Sequence, residues 1–205
     1  MYLSKLVLNE SNPAVQKDLS NAHALHQRIM HGFPDEHRDV PRSDWNVLFR
    51  HEPDSNVILV QSVIEPDWNK LEANYLLSYD TKPFDPVIAH FSPGKLLQFR
   101  LRANPSKRDS KTRKTVGYFK PSDQLAWLAR QAERNGFRLH MADVIPSPNV
   151  FGRKRDQAPI RITTALYQGI LEVTDSEQFL AAVEKGIGRG KSYGCGLLSL
   201  ANLRR

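Results

Sequence analysis

Lys95-Leu-Leu-Gln-Phe-Arg-Leu-Arg102 alternates apolar and polar side chains, the period of two expected of a half-buried strand. Downstream, Pro121-Ser-Asp-Gln-Leu-Ala-Trp-Leu-Ala-Arg-Gln-Ala-Glu-Arg-Asn-Gly136 puts Leu125, Leu128, Ala129 and Ala132 on one helical face and closes on a glycine. Phe137 to Ile145 and Ile160 to Val173 are rich in β-formers. Asp175 or Ser176 then caps a helix running to about Lys185, and Gly196 to Leu203 reads as a last apolar strand. The order β-α-β-β-α-β is the split βαβ, or ferredoxin-like, arrangement.

The chain before this stretch reads as a looser version of the same unit. Tyr2 to Leu8 is a short strand, and Asn12-Pro13 offers an N-cap with proline at the first helical position. Val15, Leu19, Ala22, His26 and Ile29 recur at spacings of four, three, four and three, which predicts one amphipathic helix over 13–31 with His26 inside its apolar stripe. Gly32-Phe33-Pro34 ends that helix, and the charged run Asp35 to Asp44 reads as a solvated loop. Trp45 to Arg50 and Val57 to Glu65 form a hairpin across a turn-rich connection, and Asp67 to Leu77 is a weaker helix candidate. Pro83, Pro86, Pro93 and Gly94 mark the stretch 82–94 as a boundary. The expected class is α+β, with two tandem ferredoxin-like (RRM-like, βαββαβ) domains over residues 1–92 and 95–205.

Composition narrows the function. The 205 residues carry 29 Lys plus Arg against 22 Asp plus Glu, a net charge of +7, and 40% hydrophobic residues, so the chain is globular and favours a polyanionic partner. The single cysteine, Cys195, excludes an intrachain disulfide framework and cysteine-rich zinc sites, and fits a reducing compartment. The start, Met1 to Pro13, has only Lys5 and a short apolar stretch, neither a signal-peptide core nor a membrane span; the expectation is a cytoplasmic protein with no membrane partner.

The charge is concentrated. Arg100, Arg102, Lys107, Arg108, Lys111, Arg113 and Lys114 share fifteen positions with one acid, Asp109, in an irregular hairpin suited to tracking phosphates; the alternative is a solvated loop. Gly186-Ile-Gly-Arg-Gly-Lys-Ser-Tyr-Gly-Cys-Gly196 holds five of the eleven glycines. It matches neither the Walker A nor the dinucleotide pattern, yet Gly188, Arg189, Gly190, Lys191 and Ser192 make a ligand-contacting loop a candidate beside a purely structural turn. Arg153-Lys154-Arg155 is a third basic cluster, exposed by default. His23 and His26 lie one turn apart and supply groups that titrate near neutrality, as general acid–base work requires; a hydrogen-bonded core histidine is the plain alternative, and no third ligand makes a metal site.

Met1-Tyr-Leu-Ser-Lys5, the His23-Ala-Leu-His26-Gln helix ending in Phe33-Pro34, the Phe99-Arg-Leu-Arg-Ala-Asn-Pro105 strand and above all the run from Gly186 to Leu200 together closely resemble the CasE family of type I-E CRISPR systems. These motifs run from the first residue to the last in the family's order, with 54–90 the weakest stretch. The resemblance implies a metal-independent endoribonuclease with no cofactor, built of two ferredoxin-like units. It implies cutting of CRISPR precursor RNA at the base of each repeat hairpin, leaving a 2′,3′-cyclic phosphate and a 5′-hydroxyl. The enzyme then stays bound to the 3′ hairpin of the guide among the other Cascade subunits. It further implies that His26 is catalytic and that the Arg153-Lys154-Arg155 loop lies near the site. Family members commonly carry tyrosine three residues before the histidine; His23 stands there in this chain and is a candidate to share the acid and base roles. A non-catalytic RNA-hairpin-binding subunit is the competing reading. A DNA-binding or ribosome-associated basic protein would need a groove-reading helix or a basic tail, whereas these basic residues fall in loops.

Overall fold

The computed structural model describes residues 1–36, 41–53, 55–145, 147–153 and 159–203. In chain order the first elements are β1 (Tyr2–Leu8), α1 (Pro13–Ser20), α2 (Ala22–Met30), α3 (Pro41–Asp44), β2 (Leu48–His51), β3 (Val57–Ser62) and β4 (Leu76–Pro83). They are followed by β5 (Leu96–Ala103), β6 (Ser106–Arg108), β7 (Thr115–Gly117), α4 (Pro121–Arg134), β8 (Phe137–Ile145), β9 (Val150–Gly152), β10 (Ile160–Ile162), β11 (Ala165–Val173), α5 (Ser176–Lys185) and β12 (Leu198–Asn202). Two four-stranded antiparallel sheets result, ordered β2-β3-β1-β4 and β12-β5-β11-β8. Numbered within its own unit, each sheet reads 4-1-3-2 or its reverse, the ferredoxin-like order, so the expected fold class holds.

The chain divides into two compact units. The first comprises Met1–Asp85, Val150–Arg161 and Lys191–Gly194; the second comprises Pro86–Asn149, Ile162–Gly190 and Cys195–Arg205.

In the first unit, Leu6 and Leu8 on β1 and Ile58 and Val60 on β3 present one apolar face to α1 and α2. The helix expected over 13–31 is two helices. Asn21 adopts an extended backbone (φ −137°, ψ 101°), ends α1 through its N–H to the Asp18 carbonyl, and caps α2 with its side chain. Asparagine competes with helical hydrogen bonding through its own side chain, which is why it breaks a stripe whose apolar spacing runs straight through it. The helix expected within 67–77 is reduced to a single 3-10 turn, Trp68–Lys70, because Trp68 is driven inward: it is 2% exposed and its Nε1 donates to Ser4 Oγ at 3.0 Å. The expected loop 35–44 contains the one-turn α3, and residues 37–40 lie outside the described residues.

In the second unit, Leu97, Phe99, Leu101 and Ala103 alternate inward along β5, while α4 packs on β8 and α5 on β12. Trp127 stacks on Tyr167 with centroids 6.2 Å apart, and the Tyr167 hydroxyl donates to the Gln124 carbonyl at 3.2 Å, fixing α4 on β11. Asp175 caps α5 by accepting from Gln178 N at 2.9 Å, one of the two capping residues expected there. No described helix is long and apolar enough to cross a membrane.

Candidate active site and nucleic-acid interface

Helix α2 carries its two imidazoles at the edge of the first unit's core. Ala22, Leu25 and Ile29 are buried, which leaves His23 and His26 half-buried on the flank of the stripe rather than inside it. The His26 ring lies nearly parallel to that of Phe49, at 11° with centroids 6.4 Å apart, and its Nδ1 is buried. Phe49 comes from β2 and is 1% exposed, so it is a fixed wall behind the imidazole.

Two further segments of the same unit close around α2. Asn21 Oδ1 accepts from His23 N at 3.1 Å and also from Arg153 N at 3.0 Å, while its Nδ2 donates to the Arg153 carbonyl at 3.1 Å. One amide side chain thus caps the helix and clamps the residue that leaves β9. A single 3-10 turn, Lys191–Tyr193, packs on α2. Gly194, at φ +79°, leads out of this turn; a side chain there would be strained by the dihedral, and its Cβ would lie a tight 3.2 Å from the Phe49 ring.

Behind this surface a polar staple fixes the helix pair. Asp18, 5% exposed, accepts from Arg28 Nε at 2.7 Å and from the Tyr75 hydroxyl at 3.0 Å, and the guanidinium lies over the Tyr75 ring at 4.6 Å. Burial, reinforced by the Asp18 charge, pushes the Tyr75 phenol well above its ordinary range, so it remains a donor. Burial alone would lower Arg28, but its hydrogen bond and ion pair with Asp18 outweigh that and hold it charged.

The structure therefore gathers His23, His26, Arg153, Lys191 and Ser192 onto the segments that meet at α2. Lys154 and Arg155 lie outside the described residues. Asn21, Phe49 and Tyr193 join the site from outside the sequence candidates. Asn21 has a signal, an N-cap residue two positions before His23; Phe49 has none, since only strand pairing brings it to His26. Among the described residues no three His, Cys, Asp or Glu side chains gather as a metal-binding group.

The basic segment of the second unit is a hairpin. Strands β6 and β7 pair antiparallel, Lys107 opposite Val116 and Arg108 opposite Thr115, and Lys107, Arg108, Lys111, Arg113 and Lys114 are all exposed. Asp109, the one acid among them, organises the tip: its Oδ1 accepts from Lys111 N at 3.1 Å, Thr112 N at 2.7 Å and Thr112 Oγ1 at 2.8 Å. The bonds from Thr112, chiefly its backbone N–H, hold the Asp109 carboxyl below the usual carboxylate range. The remaining basic candidates are placed differently. Arg102 is 7% exposed, with Nη2 donating to the Pro148 carbonyl at 3.0 Å, a structural placement away from the exposed cluster. Arg100 is half-buried in the sheet and donates to Gln168 Oε1 at 3.1 Å. Gly188 (φ +80°) packs its backbone against Trp127, and the exposed Arg189 donates to Thr115 Oγ1 on β7 at 3.3 Å, next to the hairpin. Gly190 is half-buried, its carbonyl accepting from Cys195 N.

Chemically, the first unit presents two imidazoles on one helical edge, a grouping suited to moving protons, and the second presents an exposed polycationic finger suited to phosphates. Comparison with known proteins gives a consistent picture. Residues 1–202 match a family model described as CRISPR associated protein. The chain is 37% identical to the CRISPR-associated endoribonuclease Cse3 of Thermus thermophilus, across 98% of this chain and 100% of that protein. It is 33% identical to the CRISPR system Cascade subunit CasE of Escherichia coli, across 99% and 100%. Thermus thermophilus Cse3 bound to an RNA representing a pre-cleavage complex superposes with a TM-score of 0.85 at 36% identity, covering 98% of each chain.

Proposed function

The chain belongs to the CRISPR-associated protein family, and we propose that within it the protein is the endoribonuclease that cuts CRISPR precursor RNA at the base of the repeat hairpin and remains on the 3′ hairpin of the guide in Cascade. Its relatives' names carry the nuclease and the Cascade assignment. The finer reading is a cytoplasmic, metal-independent enzyme specific for a hairpin's sequence and shape. The observation that carries it is the half-buried His26 on Phe49, at the edge where α2, the Arg153 segment and the Lys191–Tyr193 turn meet.

The chemistry follows from the groups. The 2′-hydroxyl oxygen of the nucleotide 5′ to the break attacks phosphorus, the O2′–P bond forms and the P–O5′ bond breaks, leaving a 2′,3′-cyclic phosphate and a 5′-hydroxyl. One imidazole accepts the O2′ proton while a protonated one delivers a proton to O5′, each worth roughly 10²–10⁴-fold. His26 holds one of these roles, and His23 at three residues' spacing is the partner for the other. Arg153, held by its backbone so that its side chain projects from a fixed point, and Lys191 supply positive charge to the phosphorane-like transition state. The hairpin β6–β7 grips the stem by shape and phosphate, the general mode for A-form helices.

Two tests bear on this. Products formed by the wild type in EDTA should carry cyclic phosphate and 5′-hydroxyl ends, and a single 2′-deoxy substitution at the cut should abolish them; tight binding without cutting would favour a non-catalytic hairpin-binding subunit. With two imidazoles in play the pH–rate profile is bell-shaped, and His23→Phe removes one limb. Retention of both limbs and full rate in that variant would assign His23 no catalytic part.

A further inference from the structure

Phe119 is the most exposed large apolar side chain among the described residues, at 69%. Its backbone is nonetheless held: Tyr118 N donates to the Pro105 carbonyl at 2.8 Å, Gln124 Nε2 donates to the Tyr118 carbonyl at 2.9 Å, and α4 starts at Pro121. A phenyl ring held in water by a fixed backbone forgoes the burial that would stabilise it, and its face is open to a ligand. Beside the ring opens a groove of about 240 Å³ in the same unit, floored by Val144 and Ile145, with Ser147, Asn149 and Thr163 offering hydroxyl and amide groups.

The surroundings select the occupant. Lys107 Nζ and Arg130 Cζ lie 5.6 and 6.0 Å from the centroid of Tyr118, the residue before Phe119, and the exposed basic finger β6–β7 begins at the same place. A cationic rim favours a polyanion over an apolar protein helix. The groove falls below the roughly 300–1,000 Å³ of pockets that take drug-sized ligands, which suits one flat ring system. A base within a duplex has both faces stacked, so only an unpaired one can lie on a side chain.

We infer that Phe119 and the groove beside it form a subsite for one unpaired nucleobase of the bound RNA, stacked on the phenyl ring with its edge toward Ser147, Asn149 and Thr163. This rests on the RNA-hairpin reading above and adds to it a recognition element outside the α2 site. The test uses the full chain and repeat-hairpin RNAs carrying 2-aminopurine at each unpaired position in turn. Wild type should quench one position on binding. Phe119→Ala should lose that quenching and roughly 5- to 150-fold in affinity, the span of base–aromatic stacking. Phe119→Tyr should restore both, and a fully paired stem should bind wild type and Phe119→Ala alike. Equal affinity and quenching in wild type and Phe119→Ala, with both binding the hairpin tightly, would overturn the subsite alone. Failure of wild type to bind any hairpin would overturn the RNA reading with it. A Phe119→Ala protein that keeps its RNA behaviour but no longer joins the assembled ribonucleoprotein would assign Phe119 to a protein contact instead.

Discussion

Asn21 does two jobs that different substitutions separate. Its Oδ1 caps α2 at His23 N, and the same amide makes two hydrogen bonds to the backbone of Arg153. Losing the cap costs about 1 kcal/mol. The clamp bonds are exposed, so each sits at the low end of the usual range, about 0.5 kcal/mol, or about 1 kcal/mol for the pair. Asn21→Ala should therefore lower stability by about 2 kcal/mol. Serine caps nearly as well as asparagine but is too short to span both Arg153 groups, so Asn21→Ser should lose only about 1 kcal/mol. If that loss falls on holding Arg153 beside the reacting phosphate, the saturated cleavage rate drops roughly fivefold, since about 1.4 kcal/mol is tenfold. Denaturant melts give the stability and single-turnover cleavage of the repeat hairpin gives the rate. An Asn21→Ser protein that cleaves at the wild-type rate would refute the clamp's role, as would a rate loss in Asn21→Ala no greater than its unfolded fraction explains.

Charge removal at Lys107, Arg108, Lys111, Arg113 and Lys114 should weaken RNA affinity and reduce the slope of log affinity against log salt by about one for each phosphate no longer neutralised, leaving the saturated rate nearly unchanged; a collapsed rate with intact affinity would move this finger into the active site. Asp109→Ala raises the net charge yet should weaken binding, because the three bonds that shape the tip disappear; tighter binding in filter or fluorescence titrations would show that the acid acts only as a counter-charge. Cys195 is fully buried, and burial pushes its thiol from an ordinary 9.0 up to about 12. Its folded value is raised, so its contribution is complete below pH 9 and falls as the unfolded chain ionises above it, by at most about 1.4 kcal/mol per pH unit. Cys195→Ala should flatten the loss of stability above pH 9, and a thiol reagent should fail to label the native protein; rapid native labelling would contradict the burial.

Much of the fold is legible because it rests on periodicity. Strand β5, helix α4 and the order β-α-β-β-α-β of the second unit follow from local alternation, and the matching sheet order confirms that reading. The failures have two causes, a local cap that apolar spacing does not register and a long-range interaction that overrides a local signal. The first is local: the apolar stripe over 13–31 runs unbroken through Asn21, whose own side chain caps α2, while its second set of partners, at Arg153, is 132 positions away. The weak helix over 67–77 gives way to the inward pull of Trp68 on Ser4, 64 positions distant. The candidate site divides the same way. His23 and His26 are visible as a spacing on one helix and the glycine run that carries Tyr193 is visible as a composition, whereas Phe49 arrives by strand pairing that no local pattern announces. A count of basic residues treats Arg102 as equal to Lys107, yet one is tied to the Pro148 carbonyl inside the second unit and the other stands in solvent.

The central claim is that His26 moves a proton in a cut that needs no metal ion. Its most direct test is single-turnover cleavage of the cognate repeat hairpin in EDTA, wild type against His26→Ala, with the dissociation constant of each measured on an uncleavable 2′-deoxy RNA. The account predicts rapid cleavage by wild type, a loss of about 10²-fold or more in the variant, and equal affinities. Undiminished cutting by His26→Ala, or wild-type cutting that vanishes in EDTA and returns with a divalent cation, would contradict it.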